Sequence, residues 1–271
     1  MNYYVKNNDI IVHEEDFDLD ETLDCGQAFR WRKINSDYKC TYEGTFFNDN
    51  LIISQTENND FIFHDVSEKA FLGKWFDYFD FGTDYSQLKE IFSQDETLSK
   101  ACAYAGGIRL LRQNPWECLI SFIISQNNNI PRIKGIIQRL CDNCGGIFPT
   151  AESLSHDTPE SLAYLRSGFR ARYICDASNK VFTGEVNLGK ISLMPLEQAR
   201  TELKKIVGVG DKVAECVLLY GMHRTEAFPV DVWIKRVLAE YYPDGLPVFI
   251  KENAGIAQQY LFHYIRTADN L

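Results

Sequence analysis

A chain of 271 residues with 45% hydrophobic content holds enough apolar material for a substantial core and for two or three structural units. No apolar run approaches the ~20 residues needed to span a bilayer, the start from Met1 to Asp9 lacks the apolar core of a secretion signal, and the scattered cysteines do not form a secreted disulfide framework. A reduced, non-secreted protein without a membrane partner is expected, and the net charge of −10 argues against nucleic acid only until it is divided along the chain.

Residues 1–100 carry 9 Lys/Arg against 21 Asp/Glu, whereas residues 101–271 carry 19 against 17. The acidity belongs to one end. The remainder is not strongly basic, so any DNA contact there rests on a few placed cations and backbone N–H groups rather than on a broad positive field, and affinity should be modest and salt-sensitive.

In chain order, the first sixty-five residues contain β-leaning runs at 38–47, 50–54 and 60–64 between Asn/Asp-rich turns, which reads as an antiparallel sheet. From about residue 68 the pattern becomes helical, and Asp84 or Ser86 offers a cap before apolar residues at helical spacing. Asn114-Pro115-Trp116-Glu117 opens a helix with Asn as N-cap and Pro at the first helical position, and Pro131 starts the next, through Leu140. Gly145, Gly146, Gly168, Gly208 and Gly210 punctuate the rest, with Pro195, Pro229, Pro243 and Pro247 marking further loops. The implied architecture is α+β: an N-terminal antiparallel sheet domain over 1–97 with flanking helices, packed on a mostly helical domain over 98–271. The latter divides into a hairpin-containing part at about 114–228 and companion helices at 98–113 and 229–271.

Ile206-Val207-Gly208-Val209-Gly210-Asp211-Lys212-Val213-Ala214-Glu215-Cys216, followed by Pro229-Val230-Asp231, places an amine and a carboxylate at two adjacent helix starts. Two glycines around a valine make a tight turn whose bare N–H groups, at the positive end of a helix dipole, suit a phosphate. Lys212 falls in the first helical turn, where that dipole disfavours an ammonium, and a neutral amine is a nucleophile. Cys216 lies four residues on and shares its face; taken alone it is a small core residue. The plain role of Asp231 is the N-cap of the run beginning Val232-Trp233-Ile234, and an ionised carboxylate held there by helix N–H groups also suits a developing positive charge. Gln258 and Phe262, again four apart, pair an amide with an aromatic ring on one helix face.

These elements resemble the helix-hairpin-helix, Gly/Pro-rich, Asp family of DNA glycosylases, and specifically its 8-oxoguanine DNA glycosylase/abasic-site lyase branch. The resemblance runs from residue 23 to 266. It implies that Lys212 attacks the sugar, that Asp231 stabilises the sugar's developing charge, and that Cys216 and Phe262 sandwich an extruded base whose Watson–Crick edge meets Gln258. Cys25-Gly26-Gln27-Ala28-Phe29-Arg30-Trp31 matches the branch's Gly-Gln-x-Phe-Arg-Trp element, in which the carbonyl of Gly26 would accept the N7 hydrogen that 8-oxoguanine has and guanine lacks. Without that pattern Gly26 reads equally as a turn glycine. Asn127 would fill the gap left by the extruded nucleotide, and Arg132 and Arg170 would donate to the acceptors of the orphaned cytosine. Gly208 and Gly210 would grip the backbone.

Two positions depart from the branch pattern. Phe169 stands where a tyrosine wedges beside the estranged base, and Trp233 stands where a histidine contacts a phosphate. Opposite-base discrimination is therefore less firmly implied than lesion recognition. The resemblance implies a monomer acting on double-stranded DNA that contains 8-oxoguanine opposite cytosine, in the nucleoid of a prokaryote or the nucleus of a eukaryote. No cofactor is expected: no cysteine follows Cys216 to hold an iron–sulfur cluster, and the lone Cys141-Asp142-Asn143-Cys144 lacks the second pair a zinc site needs, although the hairpin leaves room for a monovalent or divalent cation. The rival expectations are a monofunctional alkylated-base glycosylase of the same fold, using Asp231 and water, and a non-catalytic helix-hairpin-helix DNA-binding protein. Lys212 argues against the first, and the joint presence of Asp231, Gln258 and Phe262 against the second.

Overall fold

A computed structural model describes residues 2–47 and 49–268. Its contacts divide the chain into two units, one of residues 1–112 with 230–271 and one of Gln113–Pro229. The first unit is built on a six-stranded antiparallel sheet. Its strands β1 (Asn2–Lys6), β2 (Asp9–His13), β3 (Trp31–Ile34), β4 (Cys40–Phe46), β5 (Asp49–Gln55) and β6 (Asp60–Phe63) lie in the order β1-β2-β6-β5-β4-β3.

The three runs legible in the sequence are β4, β5 and β6; the other three strands lack clean alternation. β1 is mostly exposed, β2 buries three consecutive residues, and two of the four residues of β3 are exposed cations. One sheet face is covered by aromatics from the helical stretch that follows, where Glu68–Ala70 runs into a π-helical turn at Phe71–Trp75 and then Phe76–Tyr78. Phe17, Trp31, Phe61, Phe63, Phe71, Trp75, Tyr78 and Phe79 share this buried core.

At its centre Trp31 pairs across the strands with Gly44 and donates from Nε1 to the Tyr78 hydroxyl at 2.7 Å. The indole lies so close over Gly44 that a Cβ there would stand 2.2 Å from two ring carbons, far inside contact distance.

Helix starts explain part of the acidity of this unit. Asp18, Asp84, Asp95 and Asp231 each accept backbone N–H bonds at the head of a helix. The C-terminal helix Ala254–Ala268 belongs by contact to this unit. Tyr260 donates to the Ile108 carbonyl at 3.2 Å and Gln259 to the Cys25 sulfur at 3.0 Å.

The second unit is helical. Pro115–Ser125 starts under an Asn114 cap, as Asn-Pro predicts, and Ile130–Asp142 starts one residue before Pro131, under an Asn129 cap. Arg170–Phe182, Leu196–Leu203 and Asp211–Cys216 follow, the last continuing as a π-helical turn through Val217–Gly221.

Gly44→Ala should therefore displace the Trp31 indole and destabilise the protein by about 1–3 kcal/mol. Urea unfolding measures this, and an unchanged midpoint would show that the ring is not held against the strand.

Candidate functional site

In the second unit the hairpin turn is set by local backbone needs. Gly208 has φ +85°, a left-handed conformation that glycine adopts without strain, and a Cβ there would enter the contact zone of the Tyr173 ring. The Val209 N–H closes the turn onto the Ile206 carbonyl at 3.0 Å, and the exposed Val207 donates its N–H to Asp176 Oδ2 at 2.7 Å. Gly210 caps the helix Asp211–Cys216 with extended backbone and no side-chain bond, and nothing lies within 4 Å of where its Cβ would be.

Lys212, half-buried, points along the neighbouring helix Pro115–Ser125: its Nζ stands 5.1 Å from the Phe122 ring centroid and 3.4 Å from Ser125 Oγ. At that length the hydroxyl contact is weak, and the amine is oriented more by the ring. Cys216 is 2% exposed on the same helix.

Arg170 is buried, and it draws the expected DNA-facing groups of this unit together. Its guanidinium donates to the carbonyls of Gln126, Asn127 and Ser167, the last two at 2.9 and 3.0 Å, and lies 4.5 Å over the Phe169 ring. Burial, and then the neighbouring Arg132 charge, lower its pKa. Asn127 adopts a left-handed φ of 47° and is exposed, and Phe169 stands 48% exposed. The exposed Arg132 reaches the Arg166 carbonyl at 3.4 Å. An aromatic ring and an asparagine side chain therefore project to solvent from a loop held by one buried cation. With most of its five donors engaged by backbone, Arg170 acts in this structure first as a clamp on that loop.

The first unit carries the carboxylate and the amide. Asp231 caps Val232–Tyr241 with both bonds on one oxygen, Oδ1 accepting from Trp233 N at 3.0 Å and Ile234 N at 2.9 Å. Trp233 lies 4.9 Å under the Arg236 guanidinium. Gln258 is 3% exposed, and its Oε1 is buried without a hydrogen-bond partner among the described residues. On the same helix, half-buried Phe262 has the Arg266 guanidinium 5.7 Å from its ring centre. Gly26 has φ +93° and is partly exposed between two buried neighbours, Cys25 and Gln27.

Several supporting residues were not singled out from sequence. Glu215, 7% exposed, binds Arg200 and accepts the Phe228 N–H at 2.7 Å, tying the hairpin helix to the segment that runs into Pro229. Tyr173 and Asp176 buttress the turn. Only the position of Glu215, between Lys212 and Cys216, could have flagged it; an acidic residue on a helix otherwise reads as solvated. Among the described residues no group of three His, Cys, Asp or Glu side chains is placed to hold a metal ion, and no helix is long and apolar enough to cross a membrane.

Residues 120–245 match the family described as HhH-GPD superfamily base excision DNA repair protein, which is the class the hairpin and its lysine define, and residues 9–119 match the 8-oxoguanine DNA glycosylase N-terminal domain. The chain is 33% identical to an N-glycosylase/DNA lyase of Saccharomyces cerevisiae over 86% of its own length and 70% of that protein's, and 30% identical to a probable N-glycosylase/DNA lyase of Methanothermobacter thermautotrophicus over 93% and 94%. Among solved structures, that of a Clostridium acetobutylicum 8-oxoguanine glycosylase/lyase with duplex DNA bearing cytosine opposite 8-oxoguanine superposes with TM-score 0.89 at 35% identity, covering 100% of this chain and 99% of that one. MBOgg1 with a low-affinity DNA ligand gives TM-score 0.89 at 41% identity, covering 99% of both chains. The chain belongs to the 8-oxoguanine DNA glycosylase family.

The two hairpin glycines should respond differently to a methyl group. Gly208→Ala meets both the left-handed backbone and the Tyr173 ring and should cost about 2–4 kcal/mol in urea unfolding, whereas Gly210→Ala should stay within about 1 kcal/mol of wild type. Equal losses at both positions would contradict the geometry.

Proposed function

We propose that the protein is a bifunctional DNA glycosylase and abasic-site lyase that removes 8-oxoguanine from duplex DNA in base-excision repair. The observation that carries the base-recognition part is Gln258 Oε1, a buried acceptor with no hydrogen-bond partner among the described residues. An unsatisfied buried acceptor costs about 1–3 kcal/mol. The Watson–Crick edge of an extruded purine bearing N1–H and an exocyclic amine supplies the missing donor, and the amide's own N–H group suits that purine's O6.

In this reading the Lys212 amine attacks the anomeric carbon of the sugar as the base departs, and the resulting Schiff base permits β-elimination of the 3′ phosphate. Asp231, whose helix cap fixes one carboxylate oxygen, stabilises the oxocarbenium-like charge that builds as the glycosidic bond breaks. Gly26 discriminates the lesion: its carbonyl accepts N7–H from 8-oxoguanine but would face a lone pair on guanine. Cys216 and Phe262 contact the faces of the extruded base. Asn127 and Phe169 fill the space it leaves, and Arg132 and Arg170 attend the opposite cytosine. The Gly208–Gly210 turn and the uncapped amides after it grip a phosphate. The amine, carboxylate and hydrogen-bonding groups are all side chains or backbone of this chain, so the chemistry needs no cofactor, and no step runs through a cation at the hairpin.

Lys212→Gln should abolish 8-oxoguanine release and the borohydride-trapped covalent adduct while leaving a folded protein that binds lesion duplex. An adduct formed by this variant would remove Lys212 from the mechanism, and wild-type base release without any trappable adduct would favour a monofunctional enzyme.

The opposite strand is tested separately. Arg132→Met should flatten the preference for cytosine over adenine opposite the lesion in kcat/KM by about 10-fold or more, because a guanidinium donates to cytosine acceptors but meets the N6 amine of adenine. If turnover instead falls equally on both duplexes, Arg132 is a phosphate or structural residue.

A further inference from the structure

Gly26 is flanked by two side chains that fix it from either side. Gln27, 1% exposed, donates from Nε2 to the Thr22 carbonyl at 3.0 Å and the Arg109 carbonyl at 2.7 Å, and accepts the Leu111 N–H at 2.9 Å through Oε1. Cys25, also 1% exposed, donates its S–H to the Thr22 carbonyl at 3.2 Å. Its sulfur accepts from Gln259 Nε2 at 3.0 Å. Gln259, 1% exposed, is the residue next to Gln258 on the C-terminal helix. Adjacent helical side chains project about 100° apart, so one amide bonds the turn while its neighbour is left with an acceptor unpaired.

We propose that Cys25 and Gln259 are a positioning pair for lesion recognition, fixing the Gly26 turn in register with the Gln258 and Phe262 face of the C-terminal helix. This rests on the functional reading above, in which Gly26 and Gln258 touch the base. Neither Cys25 nor Gln259 does so; both act through their neighbours. Burial pushes the Cys25 thiol up to about 11, which keeps it protonated and therefore both donor and acceptor at neutral pH. Serine reproduces that dual capacity, and alanine reproduces neither half. Selecting 8-oxoguanine over guanine turns on one hydrogen at N7, so the carbonyl must be held within about 0.5 Å of its productive position, and loosening the pair relaxes the choice.

The test separates base reading from sugar chemistry. Single-turnover release is measured on duplexes bearing 8-oxoguanine or guanine opposite cytosine, and β-elimination on a duplex with a preformed abasic site, where there is no base to read. Cys25→Ala and Gln259→Met should each slow 8-oxoguanine release about tenfold and narrow the 8-oxoguanine-to-guanine ratio, while abasic-site cleavage keeps its wild-type rate. Cys25→Ser should restore the ratio. Should Cys25→Ala fail to fold, Gln259→Met carries the same test at the other end of the bond. Wild-type ratios in both variants, or equal loss of base release and abasic cleavage, would overturn the positioning role. A wild-type protein that cleaves abasic sites but releases no 8-oxoguanine would overturn the functional reading itself.

Discussion

The first unit depends on how one buried charge is satisfied. Arg109 is 2% exposed, and a guanidinium at that depth is tolerable only if its donors and its charge are met. Its Nε donates to the Asp16 carbonyl and its Nη1 to the Asp80 carbonyl, both at 2.9 Å, and Glu14 lies 3.3 Å from Nη2. The rings of Phe17, Phe81 and Tyr85 surround its charge, Tyr85 at 4.6 Å. The arginine thus joins the segment after β2 to the turn at Asp80 and fixes its own backbone. That backbone is what Gln27 reads, through the Arg109 carbonyl and the Leu111 N–H. Order in the Gly26 turn is therefore inherited from a buried ion some distance away in sequence, and it is passed on through Cys25 and Gln259 to the C-terminal helix.

The second unit follows the same logic with a different cation. Arg170 exchanges its solvation for three backbone carbonyls of two loops, and it leaves Asn127 and Phe169, the residues proposed to reach into DNA, exposed. The helix it begins continues to Tyr173 and Asp176, which shape the hairpin turn, and to Lys180, which donates to the Lys205 carbonyl at 2.6 Å. One helix thereby supports both the Asn127 and Phe169 loops and the hairpin turn, the wedge and the phosphate grip of the proposed function. This explains how a unit without a strong positive field can still present a definite DNA-binding surface: rigid amides and a few placed cations substitute for bulk charge.

Legibility in the sequence divided along the same physical line. Caps and prolines are local signals, so the helices at Asn114 and Asn129 and the cap at Asp231 could be read from a few residues. The strands β4 to β6 were legible from their apolar runs, whereas β1 and β3 owe their conformation to pairing with β2 and β4, information absent from either segment alone. Lys212 and Asp231 stood out as candidates because an amine behind Gly-Val-Gly and a carboxylate behind Pro-Val are unusual pairings. Cys25, Gln259, Arg109 and Glu215 carried no such mark, since nothing local distinguishes a buried hydrogen-bonded side chain from a solvated one. Their partners lie far away in sequence, 234 residues in the case of Cys25 and Gln259.

Asp231 illustrates how a structural role and the chemical role proposed for it can share one side chain rather than compete. A carboxylate at a helix start satisfies N–H groups that have no partner within the helix, so the fold itself fixes its position. Both of its bonds fall on Oδ1, which leaves the lone pairs of Oδ2 outside the capping geometry. A free carboxylate on a flexible loop would lose orientation entropy before it could stabilise a developing cation; one already fixed by the helix does not. Asparagine at this position would retain a capping oxygen but not the charge. The oxygen that caps the helix is thus separable from the one left for the proposed stabilisation of the sugar, even though the two are atoms of the same group.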